Sequence, residues 1–147
     1  MFKRILVPVD GSALSERAMH ASVELARRLG ASVTGFIAEP LQPTPTEAQP
    51  RSSWARDTAE HDAGTDAHAR QVLALFETLA RDAGVPFEGV HDQVARIDRA
   101  IIDAAESLGC DLIVMVTHGR GAFGEFLFGS HTKAVLAGSK LPLLVLH

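Results

Sequence analysis

Residues 3–12 read KRILVPVDGS, and this stretch sets the interpretation of the whole chain. Its first seven residues form a short run of mostly branched apolar side chains, which is typical of a strand buried on both faces of a parallel sheet. The run stops at an Asp-Gly-Ser turn sequence, and apolar residues then recur with helical spacing over residues 15–29. Ser12 or Ser15 can cap this helix at its start, and Gly30 can close it. The chain therefore opens with a strand, a turn and a helix.

The remaining sequence repeats this alternation of apolar runs and helical stripes. Strands are predicted over residues 31–38, 87–94, 111–117 and 142–147, and helices over residues 65–83, 97–108 and a short stretch after Gly129. Strands that alternate with helices through short connections form right-handed crossovers. We therefore predict an α/β fold, a single doubly wound open parallel five-stranded sheet with helices on both faces, Rossmann-like, in the strand order 3-2-1-4-5.

The chain is predicted to be a single domain over residues 1–147, because no internal repeat or second domain is visible. Its composition changes after Glu39, where prolines cluster and the apolar periodicity is lost. We predict a mobile Pro-rich loop over about residues 40–60. Trp54 falls in this loop, and the sequence leaves open whether it folds over a binding crevice or docks a partner.

Composition excludes several classes of protein. With 46% hydrophobic and 22% charged residues, the chain has the make-up of an ordinary globular protein. A formal net charge of -4 at pH 7 argues against nucleic acid as a partner. No apolar run approaches the roughly 18 to 20 residues that cross a membrane, so no membrane partner is expected. The one cysteine, Cys110, excludes an internal disulfide and fits a reducing cytoplasm, where we expect the protein to act.

Three loops are placed to form a binding crevice. In an open parallel sheet, ligands bind outside the carboxyl ends of the strands, where the strand order reverses. Residues 8–12, residues 37–39 and the glycine-rich segment after the fourth strand all follow such ends. If the first and fourth strands are neighbours, these loops converge. A carboxylate there can accept hydrogen bonds from ribose hydroxyls, and glycines let backbone N–H groups approach phosphates, so the crevice suits a nucleotide.

The glycine-rich segment fits two phosphate-binding patterns unequally. Residues 119–124 satisfy the G-x-G-x-x-G spacing of dinucleotide-binding folds, but apolar residues occupy the place of the acidic residue expected about 20 positions later. A Walker-type P-loop is absent. A different spacing fits better, because nine residues separate Gly119 from the pair Gly129-Ser130, which opens a helix with Thr132 just beyond. Free N–H groups and the helix dipole at such an end favour an anion.

Over essentially its full length, the chain resembles the universal stress protein family. The resemblance rests on KRILVPVDGS at the start, DLIVM before the glycine-rich segment, HGRG and Gly-Ser within it, and LPLLVL near the end. It implies a protein that binds adenine nucleotide, namely ATP, with or without Mg²⁺. It also implies a role in stress response or signalling as a nucleotide-dependent dimeric module with an unidentified protein partner.

The resemblance also assigns residues to the ligand. Nucleotide-binding members hold the ATP phosphates with a glycine, two residues, a second glycine, nine residues, and then Gly-Ser or Gly-Thr. Val116 stands here where the first glycine is expected, whereas the other glycines are present. Ile37 is assigned to the side of the base and Met115 to its ring. The candidate cofactor-binding residues are Pro8, Val9, Asp10, Ser12, Ile37, Met115, Val116, His118, Gly119, Arg120, Gly129, Ser130, His131 and Thr132.

The valine at position 116 leaves two functions open. If Val116 has ordinary strand dihedral angles, its backbone still donates an N–H group and ATP can bind. If the position requires a positive φ or a close contact with ribose or phosphate, a β-branched residue costs at least ~1 kcal/mol. The alternative function is therefore a nucleotide-free, stress-related interaction protein that keeps the fold and has lost ATP binding through Val116.

Several candidates also have purely structural interpretations. Asp10 either binds ribose or caps the first helix together with Ser12, Gly119 either contacts phosphate or serves turn geometry, and Ser130 is a possible N-cap in either case. No nucleophile elbow, metal-ligand helix or general base beside a serine is visible, so we expect no catalytic residues and no metal ligands. Slow ATP hydrolysis is the most that the sequence supports.

The last apolar run predicts a homodimer. Residues 142–147 are almost wholly apolar and end the chain, which places them at a sheet edge in this architecture. Proteins protect such an edge with a covering helix or loop, with charged side chains, or by pairing it with another strand. Two-fold pairing with a second copy would bury both edges, and dimers through this strand are what the family resemblance implies. The alternative is that helices or the Pro-rich loop of the same chain cover the strand.

Overall fold

The computed structural model describes residues 1–41, 51–117 and 129–147. Five strands alternate with four helices within these ranges. In chain order they are β1 (Arg4–Pro8), α1 (Ala13–Leu29), β2 (Ser32–Pro40), α2 (Arg51–Asp82), β3 (Phe87–Val94), α3 (Ile97–Ser107), β4 (Leu112–Val116), α4 (Ser130–Gly138) and β5 (Leu143–Leu146).

The strands form one parallel sheet in the order β3-β2-β1-β4-β5. The predicted fold class and the predicted strand order are confirmed. From β1 the chain builds outward through β2 to β3, and α3 then returns it to β4 on the other side of β1. The strand order therefore reverses between β1 and β4.

Side-chain alternation divides the core between the two faces of the sheet. Ile5 and Val7 of β1 pack into the cluster beneath α1 and α2, whereas Leu6 packs into the cluster beneath α3 and α4. All three are fully buried. Burial on both faces explains why β1 is continuously apolar.

The amino end of β1 is held beside the start of β4 by a carboxylate. Asp111 accepts hydrogen bonds from the backbone N–H of Lys3, at 3.1 and 2.9 Å, and from that of Arg4 at 3.0 Å. The Asp111 N–H in turn donates to the Arg4 carbonyl at 2.9 Å. This clasp closes the edge of the sheet opposite to the carboxyl ends of the strands.

Helix α1 has the two caps that its sequence predicts. The Ser12 hydroxyl accepts a hydrogen bond from the Ser15 N–H at 3.2 Å, so Ser12 is the N-cap. Gly30 closes the helix in the left-handed conformation with φ +65°. The helix begins at Ala13, two residues earlier than its apolar stripe.

The predicted Pro-rich loop is wrong over its second half. Helix α2 already begins at Arg51 and includes Trp54, whereas residues 42–50 lie outside the described part of the chain. Proline does not recur after Pro50 until Pro86, so the backbone is free to be helical. The prediction failed because it relied on an apolar stripe, and the buried residues of α2 begin only at Ala69. None of the helices in the described ranges combines the length and apolar character needed to cross a membrane.

Candidate functional site

A crevice opens where β1 and β4 separate. The β1–β2 register continues to the pair Pro8↔Phe36, but the β1–β4 register ends at Leu6↔Ile113. Val9 donates its N–H to the Phe36 carbonyl at 2.9 Å, which turns the nitrogen of Pro8 toward β4. Proline has no N–H to extend that ladder. A cavity of about 350 Å³ lies at this end of the two strands.

The crevice has an apolar slot between the sheet and helix α3. Its walls are Phe36 and Ala38 of β2, Ile97 and Ile101 of α3, and Met115 of β4. Phe36, Ile101 and Met115 are buried within the core cluster on this side of the sheet. Apolar walls next to a few polar groups are typical of sites that bind small organic ligands.

The turn after β1 forms one polar side of the crevice. The Asp10 N–H donates to the Ser15 hydroxyl at 2.9 Å, and the Ser12 N–H donates to Asp10 Oδ1 at 2.9 Å. Asp10 is exposed, and Oδ1 is the carboxylate oxygen that takes part in this turn. Ser12 itself caps α1, so Asp10 can support the turn with one oxygen and accept ligand hydrogen bonds with the other.

The start of helix α4 forms the other polar side. Its N-cap is Gly129, which provides no capping side chain, and its first turn contains no acidic residue. Ser130 and His131 are exposed and Thr132 is buried, and all three line the crevice. The N-terminal N–H groups and the positive end of the helix dipole thus lie beside the cavity, where they favour an anion.

Most of the residues predicted from sequence meet at this crevice. His118, Gly119 and Arg120 lie outside the described residues. The ten that line the cavity are Pro8, Val9, Asp10, Ser12, Met115, Val116, Gly129, Ser130, His131 and Thr132.

Ile37 does not line the crevice, which corrects the expectation that it lies beside a bound base. Its side chain is fully buried in the cluster beneath α1 and α2, on the opposite face of the sheet. Successive strand residues face opposite sides, so Phe36 and Ala38 occupy the crevice wall instead.

Six lining residues were missed in the sequence. Alternation along β2 would have identified Phe36 and Ala38 once the direction of Ile37 was known. Helix α3 begins just after β3 and its first turns therefore lie at the carboxyl edge of the sheet, which was the available signal for Ile97 and Ile101. The missed residues are Leu14, Ser15, Phe36, Ala38, Ile97 and Ile101.

Val116 is the last residue of β4 and is in register with Leu146 of β5. It therefore has an extended strand backbone rather than a left-handed one. Its half-buried side chain packs against the core on the α1 side. The backbone geometry here does not itself require a glycine.

Two groups outside the crevice, Cys110 and Asp98, have shifted pKa values that local structure explains. Burial raises the pKa of the Cys110 thiol, whose sulfur lies 4.0 Å from the Thr34 hydroxyl, so the thiol stays protonated and unreactive. At the start of α3, the Arg96 guanidinium donates to Asp98 at 2.8 Å and lowers the pKa of that carboxyl. Residues 1–41, 51–117 and 129–147 contain no group of three or more His, Cys, Asp or Glu side chains arranged to hold a metal ion.

A parallel doubly wound sheet with a crevice at its point of reversal defines an α/β protein of the Rossmann-like class. Within this class, the sequence model of the universal stress protein family matches residues 1–147, and the chain belongs to that family. The family predicted from the sequence motifs is confirmed.

Known proteins of this family are similar to the chain over nearly its whole length. A universal stress protein of Thermus aquaticus is 30% identical over 145 residues, which cover 99% of this chain and 98% of that protein. The fold matches a universal stress protein solved in complex with cAMP, with a TM-score of 0.70, 22% identity, and coverage of 99% of this chain and 97% of that one. It also matches an Archaeoglobus fulgidus universal stress protein solved in complex with dAMP, with a TM-score of 0.69, 19% identity, and coverage of 99% and 98%.

Proposed function

We propose that this protein binds an adenine nucleotide, ATP, in the crevice between β1 and β4, and that it acts in stress response or signalling as a nucleotide-dependent dimeric module. The observation that carries the proposal is the placement of three complementary surfaces around one cavity. An apolar slot lies between an exposed carboxylate on one side and the start of a helix on the other.

The parts of the nucleotide match these surfaces in turn. The adenine ring occupies the slot between Met115 and the α3 residues Ile97 and Ile101, where its faces are removed from water. The ribose lies at Asp10, whose second carboxylate oxygen accepts from the hydroxyls. The phosphates point toward residues 129–132, where N–H groups and the Ser130 hydroxyl donate to them.

The complexes of two family members with cAMP and dAMP support an adenine nucleotide as the ligand class. ATP is the more specific part of the proposal, and it rests on the Gly-x9-Gly-Ser spacing from Gly119 to Ser130. Any Mg²⁺ would enter together with the phosphates of ATP, which is the usual way in which this ion binds at nucleotide sites.

The strand geometry of Val116 supports ATP binding over the nucleotide-free alternative. An extended backbone at this position leaves the valine N–H in place, and the position carries no demand for a positive φ. The proposed role is therefore nucleotide binding, with at most slow hydrolysis.

The dimer part of the proposal rests on the edge of the sheet. Strand β5 is outermost and pairs only with β4 among the described strands. Leu144 on this strand is 38% exposed, and Leu136 on the adjacent helix is 57% exposed. A second copy paired along β5 would cover this edge.

Two measurements test nucleotide binding. Freshly purified protein is denatured and the released small molecules are identified, and the nucleotide-free protein is then titrated with ATP, and separately with GTP, by calorimetry in the presence of Mg²⁺. We expect adenine nucleotide in the release and saturable heat with ATP. A folded protein that gives no heat at millimolar ATP would establish the nucleotide-free alternative instead.

A further inference from the structure

Helix α2 makes a specific contact with the turn that carries Asp10. The Nε2 atom of His68 lies 3.0 Å from the Asp10 carbonyl oxygen, although the two residues are 58 positions apart. A carbonyl oxygen only accepts, so Nε2 carries the hydrogen and donates it. His68 does not line the crevice.

The same turn is pressed directly against α2 at Gly11. Gly11 has φ +82°, and a Cβ atom there would lie 2.8 Å from Val72 Cγ2 and 3.0 Å from His68 Cε1. The turn therefore requires both the backbone freedom and the small size of glycine. The α2 side chains determine how closely the turn approaches the helix.

The peptide unit between Asp10 and Gly11 is held at both of its polar atoms, because its N–H donates to the Ser15 hydroxyl at 3.3 Å and its carbonyl oxygen accepts from His68 at 3.0 Å. The chain before it is fixed by Val9, which donates to β2. Beyond it, Gly11 permits several backbone conformations. The contacts from Ser12 and Ser15 belong to the turn and its own helix, whereas the His68 hydrogen bond ties the Asp10 carbonyl to a different element.

We infer that His68 is a positioning residue for the nucleotide site, which orients the Asp10 carboxylate toward the ribose by holding the Asp10–Gly11 peptide. This inference rests on the proposed binding of ATP, and it adds a residue outside the crevice to the determinants of ribose recognition. The inference predicts a selective effect on one part of the nucleotide. Loss of the His68 donor weakens the contact with the ribose hydroxyls more than it weakens contacts with the base or phosphates.

The test compares ATP with 2′-deoxy-ATP in four variants. His68→Leu and His68→Asn remove a donor at this distance, whereas His68→Gln can place an amide N–H near the Nε2 position. His61→Leu is the matched control, because His61 lies on α2 two turns earlier and outside the crevice. Dissociation constants for both nucleotides are measured by calorimetry, and folding is checked by thermal unfolding.

We expect His68→Leu and His68→Asn to weaken ATP binding by about three- to tenfold, the range for one lost hydrogen bond. Both variants should also reduce the preference for ATP over 2′-deoxy-ATP. His68→Gln should restore most of the affinity and the preference, and His61→Leu should change neither. Because His68 acts through Asp10, His68→Leu should have no further effect on ATP affinity in an Asp10→Ala background.

The outcomes separate the inference from the proposed function. Absence of ATP binding by the unaltered protein overturns both. If that protein binds ATP and the folded Leu or Asn variant keeps its affinity and its preference, the inference is wrong and the proposed function stands. An equal loss for both nucleotides that persists in the Asp10→Ala background also overturns the inference, because it indicates a general structural role. If the Leu variant does not fold, the comparison of Asn with Gln decides.

Discussion

The Asp111 carboxylate accepts two hydrogen bonds from the backbone N–H of Lys3, at 2.9 and 3.1 Å, across a separation of 108 residues. It joins the first strand of the chain to the fourth at the amino edge of the sheet. The crevice lies at the other end of the same two strands, where their pairing has stopped. The clasp thus makes neighbours of two distant segments, and their carboxyl ends form the site.

We predict that Asp111→Ala destabilises the fold and leaves ATP affinity unchanged. The variant removes a charged acceptor from the N–H groups of Lys3 and Arg4, and we expect a loss of about 1 to 2 kcal/mol in the free energy of unfolding, because these groups are partly exposed. Urea denaturation measures the loss. An unchanged urea midpoint would show that the clasp contributes nothing to stability.

A second prediction concerns the carboxylate at the crevice. Asp10→Ala should weaken ATP binding by about 1.5 to 3 kcal/mol, the range for a charged hydrogen-bond partner. A purely structural Asp10 would instead cost about 1 kcal/mol of stability and leave affinity alone. Calorimetry and thermal unfolding on the same variant distinguish these results.

Asp103→Ala provides the charge-matched control for Asp10. Asp103 is an exposed carboxylate on α3, paired with Arg99 at 3.0 Å, and it does not line the crevice. Its removal should leave ATP affinity unchanged. Equal losses in the Asp10 and Asp103 variants would indicate that only net charge matters.

The parts of the site that could be predicted from sequence follow directly from strand ends. Asp10 follows a recognisable strand, and Ser130 opens a recognisable helix. The topology alone therefore brings both residues to one edge of the sheet. The assignment of Ile37 to the crevice was wrong because a shift of one residue along a strand moves the side chain to the other face of the sheet. His68 had no local signal, since its contact with Asp10 depends on how α2 packs against the sheet.

The early start of α2 was missed for a related reason. Over residues 51–68 no side chain of the helix is fully buried, so hydrophobic periodicity is a weak signal for this part of it. The absence of proline and the helix-forming residues of this stretch were the available signal, but they also fit a polar loop. Intrinsic helix propensity determines the backbone conformation only where tertiary packing does not.

The third prediction concerns position 116. Val116→Gly should lower the free energy of unfolding by about 1 to 2 kcal/mol, because it removes a half-buried side chain and places glycine in a strand. ATP affinity should stay the same, since the strand backbone already presents its N–H group. Val116→Ala is the control that removes the branched side chain and keeps Cβ. If ATP binds more tightly to the glycine variant alone, backbone freedom at this position limits binding.

The fourth prediction tests the dimer through β5. Leu144 pairs with Val114 on β4 and is exposed at the outer edge, so a charge there opposes two-fold pairing without entering the core. We expect light scattering at micromolar concentration to give twice the 15.7 kDa chain mass for the unaltered protein and the mass of one chain for Leu144→Lys. Leu75→Lys is the matched control, because Leu75 is 44% exposed and lies on α2, which packs against β2 and β3 at the opposite end of the sheet. This variant should remain dimeric. A single-chain mass for the unaltered protein, or a dimer that survives Leu144→Lys, would remove β5 as the interface.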